Sequence, residues 1–231
     1  MSPIRIGADL VSVDQVEAAI ATFGDAYTRR VYTEREIENC RGARDGPAPE
    51  RLAARFAAKE AAIKVLRPQV GVALTDIEVT IGSDGAPELA LSGTAAARGE
   101  ELDLAECSLS LTHDGAYAAA VFVALAGDGP NAIPSRTEDP TTVQETKLTE
   151  RTDAIRNVLA KHGRLSVPIT DLSDDTNLYG AGLTSHATVN VMLALENEFD
   201  TEFPVSLLRR STFESIDNLN AALEDVLGSE A

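Results

Sequence analysis

Four side chains in the first half of the sequence are of the types that hold metal ions and phosphate groups. Asp9 ends a short run of alternating apolar residues, and His113 lies in an expected hairpin turn. Glu60 and Lys64 are four residues apart, so they share one face if this segment is helical. Two carboxylates brought together by folding suit Mg²⁺, which takes few protein oxygens and keeps waters and phosphate oxygens. A lysine one turn away could neutralise a phosphate on the same metal.

The same four residues also fit an interpretation without chemistry. In it, Glu60 and Lys64 form an exposed ion pair on one helix, Asp9 caps a turn and His113 is solvated. Exposed pairs of this kind are common on helices and contribute little to stability. Spacing alone favours this simpler interpretation.

A further candidate, Ser185, begins a predicted helix after the loop LYGAGLT at 178–184. A hydroxyl at a helix N-terminus is usually an N-cap that accepts a hydrogen bond from a backbone N–H. The same position also favours an anionic adduct, because the free amides and the helix dipole attract phosphate. Both interpretations of Ser185 stay open at this point.

The elements that must position the first group are of mixed type. Strands are predicted at 4–7, 77–81, 89–91, 108–111 and 117–125, and helices at 14–23, 34–41, 51–66 and 94–98. The helix at 34–41 begins at a capping box formed by Thr33 and Glu36. Strands and helices do not alternate regularly, which predicts an α+β domain.

The region around Ser185 is predicted to be all helical. Helices are expected at 148–162 and 185–199, a short helix or turn from Pro204, and a last helix at 213–227 capped by Ser211 or Thr212. Four helical segments in about 85 residues indicate a small all-α four-helix bundle.

Between these parts lies a segment of different composition. Residues 127–146 carry three prolines, two glycines and many Ser and Thr residues, with no aromatic side chain. A segment that cannot bury apolar surface does not offset its ordering entropy, so this stretch is predicted to be a flexible linker. The expected domains are therefore 1–126 and 147–231.

Composition excludes some classes of function. The 231 residues are 44% hydrophobic and carry a net charge of -17, which argues against general nucleic-acid binding. Residues 1–126, 127–146 and 147–231 contribute -7, -3 and -7. Neither Cys40 nor Cys107 has metal-ligand spacing, and no leader or membrane-spanning run is evident. These features lead us to expect a cytoplasmic protein without membrane partners.

Three motifs in order resemble a known family of enzymes. IGADLV at 6–11, RFAAKEAAIK at 55–64 and SLTHD at 110–114, followed by AAAV at 118–121, are similar to the motifs of holo-acyl-carrier-protein synthases. These are the short, single-repeat 4'-phosphopantetheinyl transferases. The resemblance covers about residues 4–125, nearly a whole domain of the family.

The resemblance implies roles for individual residues. Asp9 and Glu60 would hold Mg²⁺ together with the diphosphate of coenzyme A, and Lys64 would contact the phosphates near the reacting bond. Arg55 and His113 would help to hold the coenzyme A phosphates, with His113 near the 3'-phosphate. Members of the family are typically homotrimers whose coenzyme site lies between adjacent protomers.

The second half resembles acyl and peptidyl carrier proteins over residues 148–228. The run LYGAGLTSHATVNVMLALENEFDTEFP at 178–204 carries this resemblance, which marks Ser185 as the phosphopantetheine attachment serine. Carrier proteins commonly have Asp-Ser-Leu here, whereas this sequence has Thr184-Ser185-His186. His186 could tune partners or chemistry beside the thioester arm, but it is expected to be an exposed helix residue. For Lys59 of the transferase motif, an alternative without function stays open, in which it only solvates the helix.

Together the two resemblances imply an enzyme fused to its own protein substrate. The arm of coenzyme A would be transferred to Ser185, in cis or across a trimer, and 3',5'-ADP would be released. The holo carrier would then hold an acyl or aminoacyl thioester supplied by a downstream loading enzyme. Two alternatives stay open: an inactive transferase half that is a trimerisation scaffold, and a synthase that acts mainly in trans.

Overall fold

The structure is a computed structural model that describes residues 3–41, 46–127 and 145–229. The chain divides into two compact units, Met1–Gly129 and Pro130–Ala231. Most of the predicted linker, 127–146, lies outside the described residues, so its extent stays a prediction.

The first unit combines five strands with five helices in its described part. In chain order they are β1 Ile4–Ser12, α1 Val13–Phe23, α2 Asp25–Val31, α3 Glu34–Asn39, α4 Pro49–Leu66, β2 Ile77–Ile81, β3 Pro87–Leu91, α5 Gly93–Glu101, β4 Cys107–Asp114 and β5 Tyr117–Leu125. The strands form an antiparallel sheet in the order β1-β5-β4 and a separate β2-β3 hairpin. The predicted α+β class is confirmed. Helix α2 was not predicted.

Two predicted positions change because the strands are longer than expected. Strand β1 continues to Ser12, so Asp9 lies inside the strand, paired with Ala120, and not at its end. Strand β4 continues to Asp114, so His113 is paired with Ala118 and not in the turn. Long antiparallel partners extend both strands beyond their apolar runs.

Helix α4 covers one face of the three-stranded sheet. Proline at its first position suits a helix start, and Arg67, in a left-handed conformation, ends it before Pro68. Thirteen of its eighteen residues are buried, many of them alanines. A β-carbon on Gly7 would lie only 2.0 Å from the backbone oxygen of Ala61, so glycine lets α4 approach β1 closely.

The opposite face of this sheet carries large apolar side chains that are exposed in the single chain. Their exposed fractions are 64% for Ile4, 66% for Ile6, 65% for Leu10, 55% for Tyr117 and 42% for Val121. The strand register places all five on this one face. We call this surface the open sheet face.

The second unit is helical, as predicted. Its described α-helices are α6 Glu145–His162, α7 Ser185–Phe199 and α8 Ile216–Ser229. Two 3-10 turns, Val205–Leu207 and Arg210–Phe213, take the place of the fourth helical segment. The last helix begins at Ile216, where the Asn218 N–H donates to Ser215 Oγ at 3.1 Å, so Ser215 is the cap in place of Ser211 or Thr212.

Among the described residues, no helix has both the length and the apolar character needed to cross a bilayer.

Candidate functional site

Asp9 and Lys64 meet where α4 packs against β1. Lys64 Nζ donates to Asp9 Oδ1 at 2.7 Å and to the backbone oxygen of Ala8 at 2.7 Å. The Lys64 side chain is 49% exposed, and that of Asp9 is 19% exposed. An ammonium group has three N–H donors, so one remains for a phosphate oxygen. Lys64 contacts Asp9 here, so the alternative interpretation, an exposed ion pair between Glu60 and Lys64, does not describe this contact.

Glu60 lies one helical turn before Lys64 and is only 7% exposed. It directly precedes Ala61, whose carbonyl oxygen faces Gly7 of β1. The close approach of helix and strand therefore sets Glu60 and Lys64 beside the strand that carries Asp9. Buried carboxylates are rare unless the protein provides partners for them, so the position of Glu60 is unusual for a solvated helix residue.

Arg55 lies elsewhere on α4. At 100° per residue it is about 180° around the helix from Lys64. Its Nη1 donates to the backbone oxygen of Arg51 at 3.2 Å, and its side chain is 7% exposed. Burial raises the pKa of the Cys40 thiol to about 11, and the positive charge of Arg55 acts against this rise. Within one chain, the structure does not bring Arg55 to the Asp9–Lys64 pair.

His113 shares the α4-facing side of the sheet with Asp9 but stands on the other edge strand. One strand separates β4 from β1, so the two residues are at least about 10 Å apart. The His113 side chain is exposed.

The alternative in which Lys59 only solvates the helix is wrong. Lys59 is fully buried, and its Nζ donates to Glu36 Oε2 at 2.7 Å and to the backbone oxygens of Leu74 and Ile77 at 2.9 and 2.5 Å. Burial lowers the pKa of Lys59, while the charge of Glu36 acts in the opposite direction. Sequence reasoning missed this pair because its members are 23 positions apart.

Within the described residues, no three or more His, Cys, Asp or Glu side chains group together in a way that could hold a metal ion. Any metal bound by Asp9 and Glu60 would therefore have two protein carboxylates from one chain. Mg²⁺ accepts so few protein ligands because waters and phosphate oxygens complete its octahedral shell. The donor set is thus of a kind that fits Mg²⁺.

In the second unit, Ser185 is exposed at the first residue of α7. The preceding residue, Thr184, is the N-cap, and its side chain accepts a hydrogen bond from Ala187 N at 3.2 Å. The cap interpretation of Ser185 is therefore wrong, since Thr184 has that role. The Ser185 hydroxyl stands at the N-terminal end of a helix, where a phosphodiester is electrostatically favoured.

The loop before Ser185 is held by its backbone. Ser166 N donates to the oxygen of Ala181 at 2.8 Å, and Leu183 N donates to the oxygen of Leu178 at 2.9 Å. Gly182 has a φ of 108° and packs so closely on Ser166 that a β-carbon would lie 2.4 Å from its hydroxyl oxygen. These contacts order the approach to the helix N-terminus.

His186 is buried, contrary to expectation. It is 4% exposed, and burial, aided by the charge of Arg164, lowers its pKa to about 4. The imidazole is therefore neutral at pH 7 and is buried, although it directly follows the exposed Ser185 in the sequence.

Comparison with known proteins assigns both units. Residues 5–122 match the family model of the 4'-phosphopantetheinyl transferase superfamily, and residues 153–223 match the model of the phosphopantetheine attachment site. The chain is 44% identical to the holo-[acyl-carrier-protein] synthase of Frankia casuarinae strain CcI3, over 54% of this chain and 98% of that protein.

The second unit has a different relative. It is 45% identical to the aminoacyl carrier protein of Agrobacterium fabrum, over 33% of this chain and 94% of that protein. Among solved structures, the chain is similar to the Chronobacterium ammoniagenes ACPS–CoA complex, with 30% identity over 54% of this chain and 98% of that chain and a TM-score of 0.47.

The transferase match covers half of the chain, and the carrier match covers the segment in which Ser185 stands exposed at a helix N-terminus. The protein belongs to the 4'-phosphopantetheinyl transferase superfamily, with a holo-acyl-carrier-protein-synthase-type domain followed in the same chain by a phosphopantetheine attachment domain.

Proposed function

We propose that this protein transfers the 4'-phosphopantetheine arm of coenzyme A to Ser185 of its own carrier domain. The observation that carries the proposal is the presence of both a transferase domain and a phosphopantetheine attachment domain in one chain. Ser185 supports it further, because its hydroxyl is exposed and Thr184 takes the capping role.

In the proposed site, Asp9 and Glu60 hold Mg²⁺, and Lys64 contacts the phosphates of coenzyme A. The bound metal supplies charge neutralisation at the diphosphate. Lys64 is fixed by Asp9 and the Ala8 carbonyl and keeps one donor for a phosphate oxygen. Arg55 and His113 hold the remaining phosphates, and because they lie apart from Asp9 in one chain, they serve the site of a neighbouring subunit.

The chemical step is a displacement at phosphorus. Ser185 Oγ attacks the phosphorus that bears the pantetheine arm, and the new Oγ–P bond forms. The bond between that phosphorus and the bridging oxygen breaks, so 3',5'-ADP leaves with the electron pair. The Glu60 carboxylate accepts the serine proton, directly or through a water molecule.

The proposed assembly is a homotrimer formed through the first unit. Five large apolar side chains lie together on the open sheet face, and contiguous exposed apolar surface of this kind is typical of interfaces. A trimer would also give each site residues from two chains.

Domain boundaries at 126 and 147 are part of the proposal, with residues 127–146 as the tether. A flexible chain of about 20 residues has a root-mean-square span of roughly 25 Å. Tethering at this length gives an effective concentration on the order of millimolar where the geometry permits docking. Weak docking would then be sufficient for modification in cis or between subunits.

We further propose an aminoacyl group as the cargo of the holo carrier. The support is the 45% identity of the second unit to an aminoacyl carrier protein. A separate loading enzyme would form the thioester on the phosphopantetheine thiol.

Intact mass after incubation with coenzyme A and Mg²⁺ tests the proposal. The wild-type protein should gain one phosphopantetheine, and Ser185→Ala and Glu60→Ala should not. Ser206→Ala, which changes an exposed serine of the same unit, is the matched control and should be modified normally. No gain in the wild type would contradict the proposal and favour the scaffold alternative.

A second assay separates action on the fused carrier from action in trans. The Ser185→Ala protein is incubated with a separate wild-type second unit as substrate. If tethering matters, modification in trans should be much slower than that of the intact chain at equal concentration. Equal rates would favour a synthase that acts mainly in trans.

A further inference from the structure

We propose that Lys59, bound to Glu36, is a positioning residue for the transfer reaction. The pair fixes the rotation of α4 about its own axis and thereby the direction of Glu60 and Lys64. This inference rests on the proposed function, in which those two side chains act on coenzyme A.

The first support is the complete use of the Lys59 ammonium group. Its three N–H donors have three acceptors, one carboxylate oxygen and the backbone oxygens of Leu74 and Ile77. These acceptors come from α3 and from the segment that begins the β2-β3 hairpin. Lys59 therefore ties α4 to two other elements at one point.

The second support is the rigidity of the carboxylate partner. Glu36 accepts from Thr33 N at 2.9 Å, which completes the capping box of α3, and from Val79 N of β2 at 3.0 Å. Both members of the ion pair have fully buried side chains. A buried and fully bonded charge pair has one good geometry, because any other leaves a charge without partners.

The third support is the angular arrangement on α4. At 100° per residue, Ala61 lies about 200° from Lys59, while Glu60 and Lys64 lie about 100° and 140° from it. Ala61 is the contact with Gly7 of β1. The helix is therefore held on nearly opposite sides, and the two proposed site residues project from the arc between these contacts.

A small rotation of the helix would move the site appreciably. A charged group about 6 Å from the helix axis moves about 2 Å when the helix turns by roughly 20°. Displacements of about 1 Å can lower reaction rates by about 100-fold when positioning dominates catalysis. Loss of the Lys59–Glu36 pair should therefore lower kcat even in protein that stays folded.

The test is the transfer rate of Lys59→Met under conditions where circular dichroism shows it folded. We expect kcat to fall by about 10- to 100-fold. The stability control is Leu102→Ala, which truncates a buried side chain at the end of α5 and does not touch the pair; it should lower Tm but keep kcat. Wild-type kcat in folded Lys59→Met would overturn the inference.

A double variant separates positioning from stability. Replacing both members by apolar residues, Lys59→Met with Glu36→Leu, removes the uncompensated buried charge and should recover much of the lost Tm. Positioning predicts that kcat stays low, whereas full recovery of kcat would show that packing alone suffices and overturn the inference. Glu36→Gln, which keeps the side-chain size, decides the question in the same way if Lys59→Met does not fold.

Failure of the proposed function gives a different result. In that case the wild type forms no holo carrier. The test of positioning is then the affinity for coenzyme A, measured by calorimetry. At least fivefold weaker binding by folded Lys59→Met than by Leu102→Ala supports positioning, and equal binding overturns it.

Discussion

At the scale of single residues, Lys64 is held more firmly than an ordinary surface lysine. Its ammonium group bonds both the Asp9 carboxylate and the carbonyl of the neighbouring residue, so it is held in one direction although half of its side chain is exposed. An ordinary exposed ion pair has no such second contact and contributes little. The arrangement favours a role in binding an anion over a role in stability.

We therefore predict that Asp9→Asn and Lys64→Met each reduce the transfer rate by about 100-fold or more, because a fixed charge at the phosphates is lost. The rate of mass gain measures the effect. The matched control is Glu101→Gln, which breaks the Arg98–Glu101 ion pair of equal length, 2.7 Å, on α5 and should leave the rate unchanged. A normal rate in both site variants would contradict the roles proposed for them.

Residues on either side of Ser185 differ from the common carrier pattern for separate physical reasons. Thr184 keeps the N-cap that an aspartate would provide, without its negative charge. His186 replaces a leucine and stays buried as a neutral ring. The structure therefore preserves the helix start and the core and changes the charge next to the serine.

His186 gives a prediction for the pH dependence of stability. Its pKa is about 4 in the folded state and about 6.5 when unfolded, so the unfolded chain binds the proton first as the pH falls. Stability of the second unit should be full above pH 6.5 and should decline by up to about 3 kcal/mol as the pH falls to 4. Urea unfolding of wild type and His186→Leu measures this, and an unchanged pH slope in the variant would refute it.

At the scale of elements, the contact between α4 and β1 decides whether the proposed site forms. The predicted helix at 51–66 agrees closely with the observed α4, but its amphipathic pattern underestimated burial. Six of the residues of this helix are alanines, and an alanine can face either a core or solvent. For this reason the burial of Lys59 and Glu60 could not be read from periodicity.

Gly7→Ala should therefore disrupt both fold and site. The added methyl group would meet the Ala61 carbonyl, push α4 from β1 and destabilise the first unit by about 2–3 kcal/mol. It should also slow transfer, because Asp9 and Lys64 separate. Gly228→Ala is the control: its β-carbon meets nothing within 4 Å, so it should be neutral or stabilise slightly. Wild-type stability of Gly7→Ala, measured by urea unfolding, would count against the contact.

At the scale of the whole molecule, the fold of a single chain does not explain why large apolar side chains are exposed on the open sheet face. Three of its residues, Ile4, Ile6 and Leu10, come from alternate positions of one strand and are each more than 60% exposed. Alternation in β1 therefore does not separate a buried apolar face from a polar solvent face. The face that α4 covers carries Arg5, Gly7, Asp9 and Val11, so the large apolar side chains of β1 lie on the open sheet face, as expected when this face is covered too.

Ile6→Glu should accordingly abolish self-association, because a buried carboxylate without a partner is costly at an interface. Sedimentation equilibrium would measure the mass of the assembly, and the mass of a trimer is expected for the wild type. The control is Val70→Glu, a change at a residue that is 57% exposed but lies outside the sheet. A trimer that persists in Ile6→Glu, or a monomeric wild type, would refute the proposed interface.

The sequence by itself determined the α+β and all-helical classes, most element positions and the motifs that identify both domains. These depend on local patterns and on residue types that recur in a family. Only the tertiary structure decided which side chains meet. The Lys64–Asp9 and Lys59–Glu36 contacts join residues 55 and 23 positions apart, and the pairing of long strands moved Asp9 and His113 into the sheet. Local sequence patterns carry no information on such distances, because long-range contacts depend on how whole elements pack.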